Sequence, residues 1–148
     1  MTDLTGYLKL NNVDVWTQCC AFLCELSVAD HANMDELQKS PKMKAYTTVS
    51  FRELDGEELP DVLPSPRYES IDRTLQFCII GTSQEDRVAK YKAFMDALKT
   101  GWLVLDVKDV RIYKVYYLEQ SGVTWYDDPI TPACVFRVKF REPKPGTV

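Results

Sequence analysis

Two acidic pairs have the composition that a carboxylate mechanism needs, Asp106 with Asp109 and Asp127 with Asp128. Glycoside hydrolysis, for example, places one carboxyl as acid and a second as base or nucleophile across a cleft. Both pairs lie in turn-like sequence, beside Lys108 or Pro129, where aspartate ordinarily bonds to its own backbone. Ser65, Ser70, Ser83 and Ser121 have a single histidine, His31, as a potential base, and no G-x-S-x-G elbow is present. Cys19, Cys20 and Cys24 cluster, whereas Cys78 and Cys134 stand alone in apolar runs. Without C-x-x-C pairs or neighbouring histidines, these thiols are expected to be small core residues. The expectation is a protein with no catalytic residue, no metal and no cofactor.

A second constellation is aromatic. Tyr113, Tyr116, Tyr117, Trp125 and Tyr126 fall on two neighbouring extended stretches. Clustered rings can stack on sugars or bases, but they also suit a half-buried pleat or a subunit interface. Core or interface is the preferred reading. A carbohydrate-binding platform of Tyr113, Tyr117, Trp125 and Tyr126, in a monomeric host-recognition module, is the alternative. A third feature is a long excursion over residues 46–68. It combines the alternating run before Asp55-Gly56 with the proline-rich LPDVLPSP. Asp-Gly is a strong tight-turn dipeptide, so a hairpin over Tyr46 to Leu59 is expected, followed by an extended surface segment. An arm of this kind gains a burial partner if it docks on a neighbouring copy. Its expected interface residues are Tyr46, Thr48, Phe51, Leu54, Leu59, Val62 and Leu63.

The elements that position these groups centre on residues 73–105. Thr74 to Ile80 reads as a buried strand stopped by Gly81. A helix over residues 83–100 follows, capped by Ser83, with Glu85 and Asp86 in its first turn. Val88, Tyr91, Phe94, Met95 and Leu98 recur at helical spacing and should face the core. Trp102 to Leu105 resumes an extended run, giving a β–α–β pattern in which Gly81-Thr82-Ser83 is a plain turn, not a phosphate loop.

Upstream, Thr5 to Leu10 and Val13 to Trp16 flank Asn11-Asn12 as a short hairpin or kinked strand. Cys20 to Leu26 reads as a strand or helical turn. Asp30 to Lys39 reads as a short helix in a polar connection outside the core. Downstream, Val110 to Leu118 is a strand with neither face cleanly polar, which implies cover on both. Gly122 should break it before a short strand at Val123 to Tyr126. In the last strand Cys134, Phe136, Val138 and Phe140 alternate with Val135, Arg137, Lys139 and Arg141. About seven strands and one principal helix make an α+β, mainly β domain, a β-sandwich or partly closed barrel with a flanking helix.

Composition bounds the partners. The 148 residues suit one domain, spanning 1–148. A net charge of -4 argues against a protein that grips nucleic acid from outside. No run approaches the ~18 apolar residues of a membrane span, and MTDLTGYLKL lacks a signal-peptide plan, so synthesis in the cytoplasm without membrane association is expected.

Several stretches together carry a family resemblance. They are LKLNNVDVWT, the K-x-x-x-Y strand with Glu53-Leu54-Asp55-Gly56, and R-x-L-x-F-x-I-x-G-T-S from Arg73 to Ser83. L-K-T-G at Leu98 to Gly101, Y-x-V-Y-Y at Tyr113 to Tyr117 and F-R-V-K-F-x-E-P at Phe136 to Pro143 complete the pattern. This resembles bacteriophage and prophage tail proteins, and most of all the ring-forming N-terminal domain of distal tail proteins within the tail-tube-like fold. The resemblance implies a non-enzymatic virion tail component, made in the bacterial host cytoplasm and assembled as a homo-oligomeric ring, commonly a hexamer. Its partners would be other phage tail proteins, with DNA only as passing cargo, and the arm at 46–68 would reach a neighbouring subunit. With the sequence ending at Val148, the receptor-facing C-terminal domain of larger distal tail proteins is expected to be absent. A tail-tube or tail-completion role is therefore as compatible as a baseplate hub.

Overall fold

The structure, a computed structural model, describes residues 4–25, 31–46, 48, 52–53 and 55–145. Asn11 and Asn12 both take positive φ, 52° and 68°, which closes the hairpin between β1 (Leu8–Leu10) and β2 (Val13–Asp14). The chain does not continue as a strand to Trp16. The Asp14 carboxylate accepts from Trp16 N and caps a short helix, α1 (Val15–Cys19), ended by Cys20 in the left-handed conformation. β3 (Ala21–Leu23) and α2 (Ala32–Gln38) follow. β4 (Ile71–Ile80) leads through Ser83, whose hydroxyl accepts from Asp86 N, into α3 (Gln84–Leu98). β5 (Trp102–Val107), β6 (Arg111–Tyr126) and β7 (Ala133–Glu142) complete the chain.

Among the described residues all seven strands join one antiparallel sheet in the order β2-β1-β5-β6-β7-β4-β3. The fold is thus α+β and mainly β, as its periodicities imply. The seven strands form one open, sandwich-like sheet that curls toward closure. Leu8 of β1 and Ala21 of β3 stand at opposite ends of the strand order, yet both line one apolar groove of about 380 Å³ with Val15 and Trp16 of α1. β4 and β5 are separated by β6 and β7, so the expected β–α–β unit is not a parallel crossover. The long α3 instead links two strands that run in opposite directions. β6 continues through Gly122, which takes φ 58° at a register shift between Ser121 and Thr124. The glycine makes a bulge where a break was expected, because β7 supplies ladder partners on both sides of it.

The core lies on one sheet face. Phe77, Phe136, Val138, Phe140, Leu103 and Val115 are fully buried there, beneath Phe94, Met95 and Leu98 of α3. Phe77 and Phe136 face each other in register on β4 and β7, and the Phe94 ring meets both, at centroid distances of 5.1 and 5.9 Å. The helix differs from its expected face at one position: Val88 is exposed and Arg87 is buried. The inward stripe therefore runs Arg87, Tyr91, Phe94, Met95, Leu98, a phase set by where the first turn meets the sheet.

The segment around α2 is part of the core, not a polar connection. Beyond Leu23, where β3 ends, the free edge of β4 would leave backbone groups unpaired. Asn33 fills that gap with its side-chain amide, accepting from Gln76 N at 2.7 Å and donating to Gln76 O at 3.1 Å. Glu36 accepts from Thr74 N at 3.0 Å, and Leu37 is buried in the main cluster.

Gly81 sets how closely α3 can approach β4. A Cβ there would lie 2.6 Å from Arg87 N and 2.8 Å from Arg87 Cα, both backbone atoms of the helix. Gly81→Ala is expected to push the first turn of α3 off the sheet and cost about 1–3 kcal/mol. Equilibrium urea unfolding checks this, and a loss near zero would show that the turn has room.

Candidate functional site

The base of the 46–68 excursion is tied, and its described body is exposed. Met43 bridges Tyr68, Lys44 N donates to Arg67 O at 2.7 Å, and Glu69 N donates to Lys42 O at 2.8 Å. These bonds clamp the two ends of the excursion together. Beyond the clamp, every described residue from Arg52 to Ser70 is exposed, with Val62 at 84% and Leu63 at 51%. Leu59 is also exposed, Thr48 faces solvent, and Tyr46 donates its hydroxyl to Pro64 O at 3.2 Å. Phe51 and Leu54 lie outside the described residues. Residues 47, 49–51 and 54 lie outside the described residues and Glu58 makes an isolated bridge, so the expected Tyr46 to Leu59 hairpin lies largely outside the described residues. The segment with prolines at 60, 64 and 66 bends at Asp61 and Val62 and forms no strand before Tyr68.

The aromatic residues proposed as a platform do not share a surface. Tyr113 is 1% exposed, and its hydroxyl donates to Leu37 O at 2.7 Å. The Arg73 and Arg111 guanidinium groups lie 5.1 and 4.1 Å from its ring centroid. It is a core residue because odd-numbered positions at this end of β6 face α2 and α3. Tyr117 is partly buried against the same core, with Lys99 5.7 Å above its ring. Trp125 and Tyr126 are half exposed at the far end of β6, where Trp125 meets Tyr91 edge-on and Arg87 stacks on it at 4.9 Å.

Of the acidic pairs, Asp109, Asp127 and Asp128 stand in connections between strands, whereas Asp106, expected in a turn, lies within β5 opposite Ile112, because the strand runs on to Val107. Asp109 takes φ 62° in the tight connection from β5 to β6. Asp128 accepts from the backbone of Ile130 and Thr131, and those donors hold its carboxyl below the usual range. Asp127 pairs with Arg87 at 3.0 Å. Burial pushes the thiols of Cys19 and Cys134 up, the latter to about 11, so each is held as a neutral thiol. Among the described residues no group of three or more potential ligands is placed to hold a metal ion, and no helix is long and apolar enough to cross a membrane.

Sequence reasoning missed two groups. Arg73, Arg87 and Glu142 are buried charges joined across the fold: Arg73 meets Glu142 at 3.1 Å, and Arg87 donates to Tyr126 O and Ala133 O. Trp102 was read as part of an apolar run, yet it is 56% exposed on the outer face of β5. No local signal marks this, since Trp102, Leu103, Val104 and Leu105 are all apolar. No family model matches the chain, and no curated protein matches it. Among solved structures the chain is similar to SPP1 Dit (gp 19.1), described as a paradigm of the hub adsorption apparatus in phages that infect Gram-positive bacteria. The TM-score is 0.46 at 14% identity, covering 90% of this chain and 48% of that one, so the chain spans about half its length.

Proposed function

We propose that this chain is a non-enzymatic structural component of a long-tailed phage or prophage tail. It associates with copies of itself in a ring around the DNA channel, as a distal tail, tail-tube or tail-completion protein, with other tail proteins above and below it. The observation that carries the reading is the excursion, clamped at its base and bare along its body, with Leu59, Val62 and Leu63 in solvent. A monomer gains nothing by holding apolar side chains out on a tied arm, whereas an assembling subunit buries them on contact. The sequence resemblance to tail proteins supports the same reading. A carbohydrate platform is less favoured, because burial of Tyr113 leaves Trp125 and Tyr126 without a continuous aromatic surface.

Light scattering after size exclusion, over a wide concentration range, tests the reading. The expected result is a closed oligomer, six-fold if the ring is a hexamer, that dissociates when residues 57–66 are replaced by a Gly/Ser linker. A strict monomer at every concentration would overturn self-assembly as a property of this chain.

A further inference from the structure

The outer faces of β5 and β6 form an apolar surface that nothing among the described residues covers. Trp102 and Tyr116 are cross-strand partners with ring centroids 5.8 Å apart, and Ile112, 42% exposed, extends the surface along β6. Lys114 lies 4.8 Å over the Trp102 ring, and with Pro143 and Lys144 these residues border a groove of about 390 Å³. Neither lysine is in an ion pair among the described residues. An exposed tryptophan beside a proline and two unpaired cations is a surface suited to an acidic, extended, proline-containing peptide.

The chain itself carries such a segment. Between Arg52 and Arg67 stand five acids, Glu53, Asp55, Glu57, Glu58 and Asp61, and no base. None of these acids is ion-paired among the described residues. In the same stretch Pro60, Pro64 and Pro66 restrict the backbone that carries Leu59, Val62 and Leu63, through a bend at Asp61 and Val62, so less conformational freedom is left to lose on docking. We infer that the groove at Trp102, Lys114 and Lys144 receives the Glu57–Pro66 segment of a second copy. The apolar side chains cover Trp102 and Ile112, and the acids meet the two lysines. This rests on the self-assembly reading and gives that assembly its contact. Donor and acceptor are different patches of one chain, so the contact is head-to-tail, and repeated contacts close a ring if the rotation permits.

The test combines oligomer mass with mapped cross-links on the full-length protein. Val62 is replaced by a photo-reactive amino acid, and ¹⁵N-labelled and unlabelled copies are mixed so that links between copies can be recognised. Links from Val62 to the peptides holding Trp102 or Lys144 of the other copy are expected. Trp102→Ala should weaken association by roughly tenfold or more, as loss of a central aromatic anchor does. Lys114→Glu with Lys144→Glu should also weaken it, and adding Glu57→Lys with Asp61→Lys should restore it. The charge variants alter the exposed Lys144, Glu57 and Asp61 and the half-buried Lys114, none of them core residues, so the test survives if Trp102→Ala fails to fold. An oligomer whose links fall elsewhere, or which ignores the charge exchange, overturns this docking site and leaves self-assembly standing. A monomer at every concentration, with no links between copies, overturns both.

Discussion

Arg73→Met is expected to lower the unfolding free energy by about 3–5 kcal/mol, the usual cost of breaking a buried ion pair from one side. Arg73 and Glu142 are 4% and 1% exposed, and one carboxylate oxygen of Glu142 accepts from both Nε and Nη2 of Arg73. Arg111 holds the other oxygen at 2.6 Å. The second amino group of Arg73 donates to the carbonyls of Glu36, Leu37 and Lys39, which the end of α2 leaves without helical partners. A methionine keeps much of the apolar stem but strips the Arg73 donor from the Glu36 and Lys39 carbonyls, leaves Leu37 O to the Tyr113 hydroxyl alone and leaves Glu142 with one cation. Adding Glu142→Leu should recover part of the loss by removing the stranded charge, and the rest should persist as the cost of the open end of α2. Urea unfolding of the two single variants and the double variant measures both parts. If Arg73→Met costs less than about 1 kcal/mol, the charge cluster does not hold α2 against the sheet edge.

Phe136→Ala is expected to cost a similar amount, about 3–5 kcal/mol, for a different reason. Phe136 is fully buried at the centre of β7, and its ring meets Phe77, Tyr91 and Phe94 at centroid distances of 5.9, 5.1 and 5.9 Å. Two of those neighbours belong to α3, so truncation opens a cavity at the surface joining helix to sheet. Phe136→Leu fills most of the volume and should cost roughly 1 kcal/mol. Thermal or urea unfolding gives the totals, and hydrogen exchange should show α3 amides losing protection before those of β4 and β7. Equal loss of protection in helix and sheet would mean that the two unfold as one unit.

The elements differ in how far they could be read in advance. β7 was plain because Cys134, Phe136, Val138 and Phe140 alternate with cations, and all four prove fully buried. The start of α3 was equally plain, since Ser83, Glu85 and Asp86 act through bonds within the first turn. The stripe on α3 was misjudged at Val88 because periodicity alone ranks valine above arginine. What decided the matter was a pair of carbonyls, Tyr126 O and Ala133 O, that needed the Arg87 donors. The arm is marked by its prolines and acids, and the hairpin expected around Asp55-Gly56 lies largely outside the described residues. The counterpart surface at Trp102 went unnoticed, since an isolated strand does not say which face the rest of the chain will cover.

The sequence by itself determined the local elements, because caps, turns and alternation act over a few residues: the paired asparagines that close β1 to β2, the Ser83 cap, the inward face of β7. It also determined the acidic, proline-braced character of the exposed arm. Tertiary structure alone decided the strand order that separates β4 from β5, and the burial of Tyr113 that removes it from any platform. It alone brought Arg73 to Glu142 across 69 residues and left Trp102 uncovered. Those outcomes depend on which distant groups meet. A buried charge is tolerable only where its partner arrives, and an apolar face is core only where another element covers it.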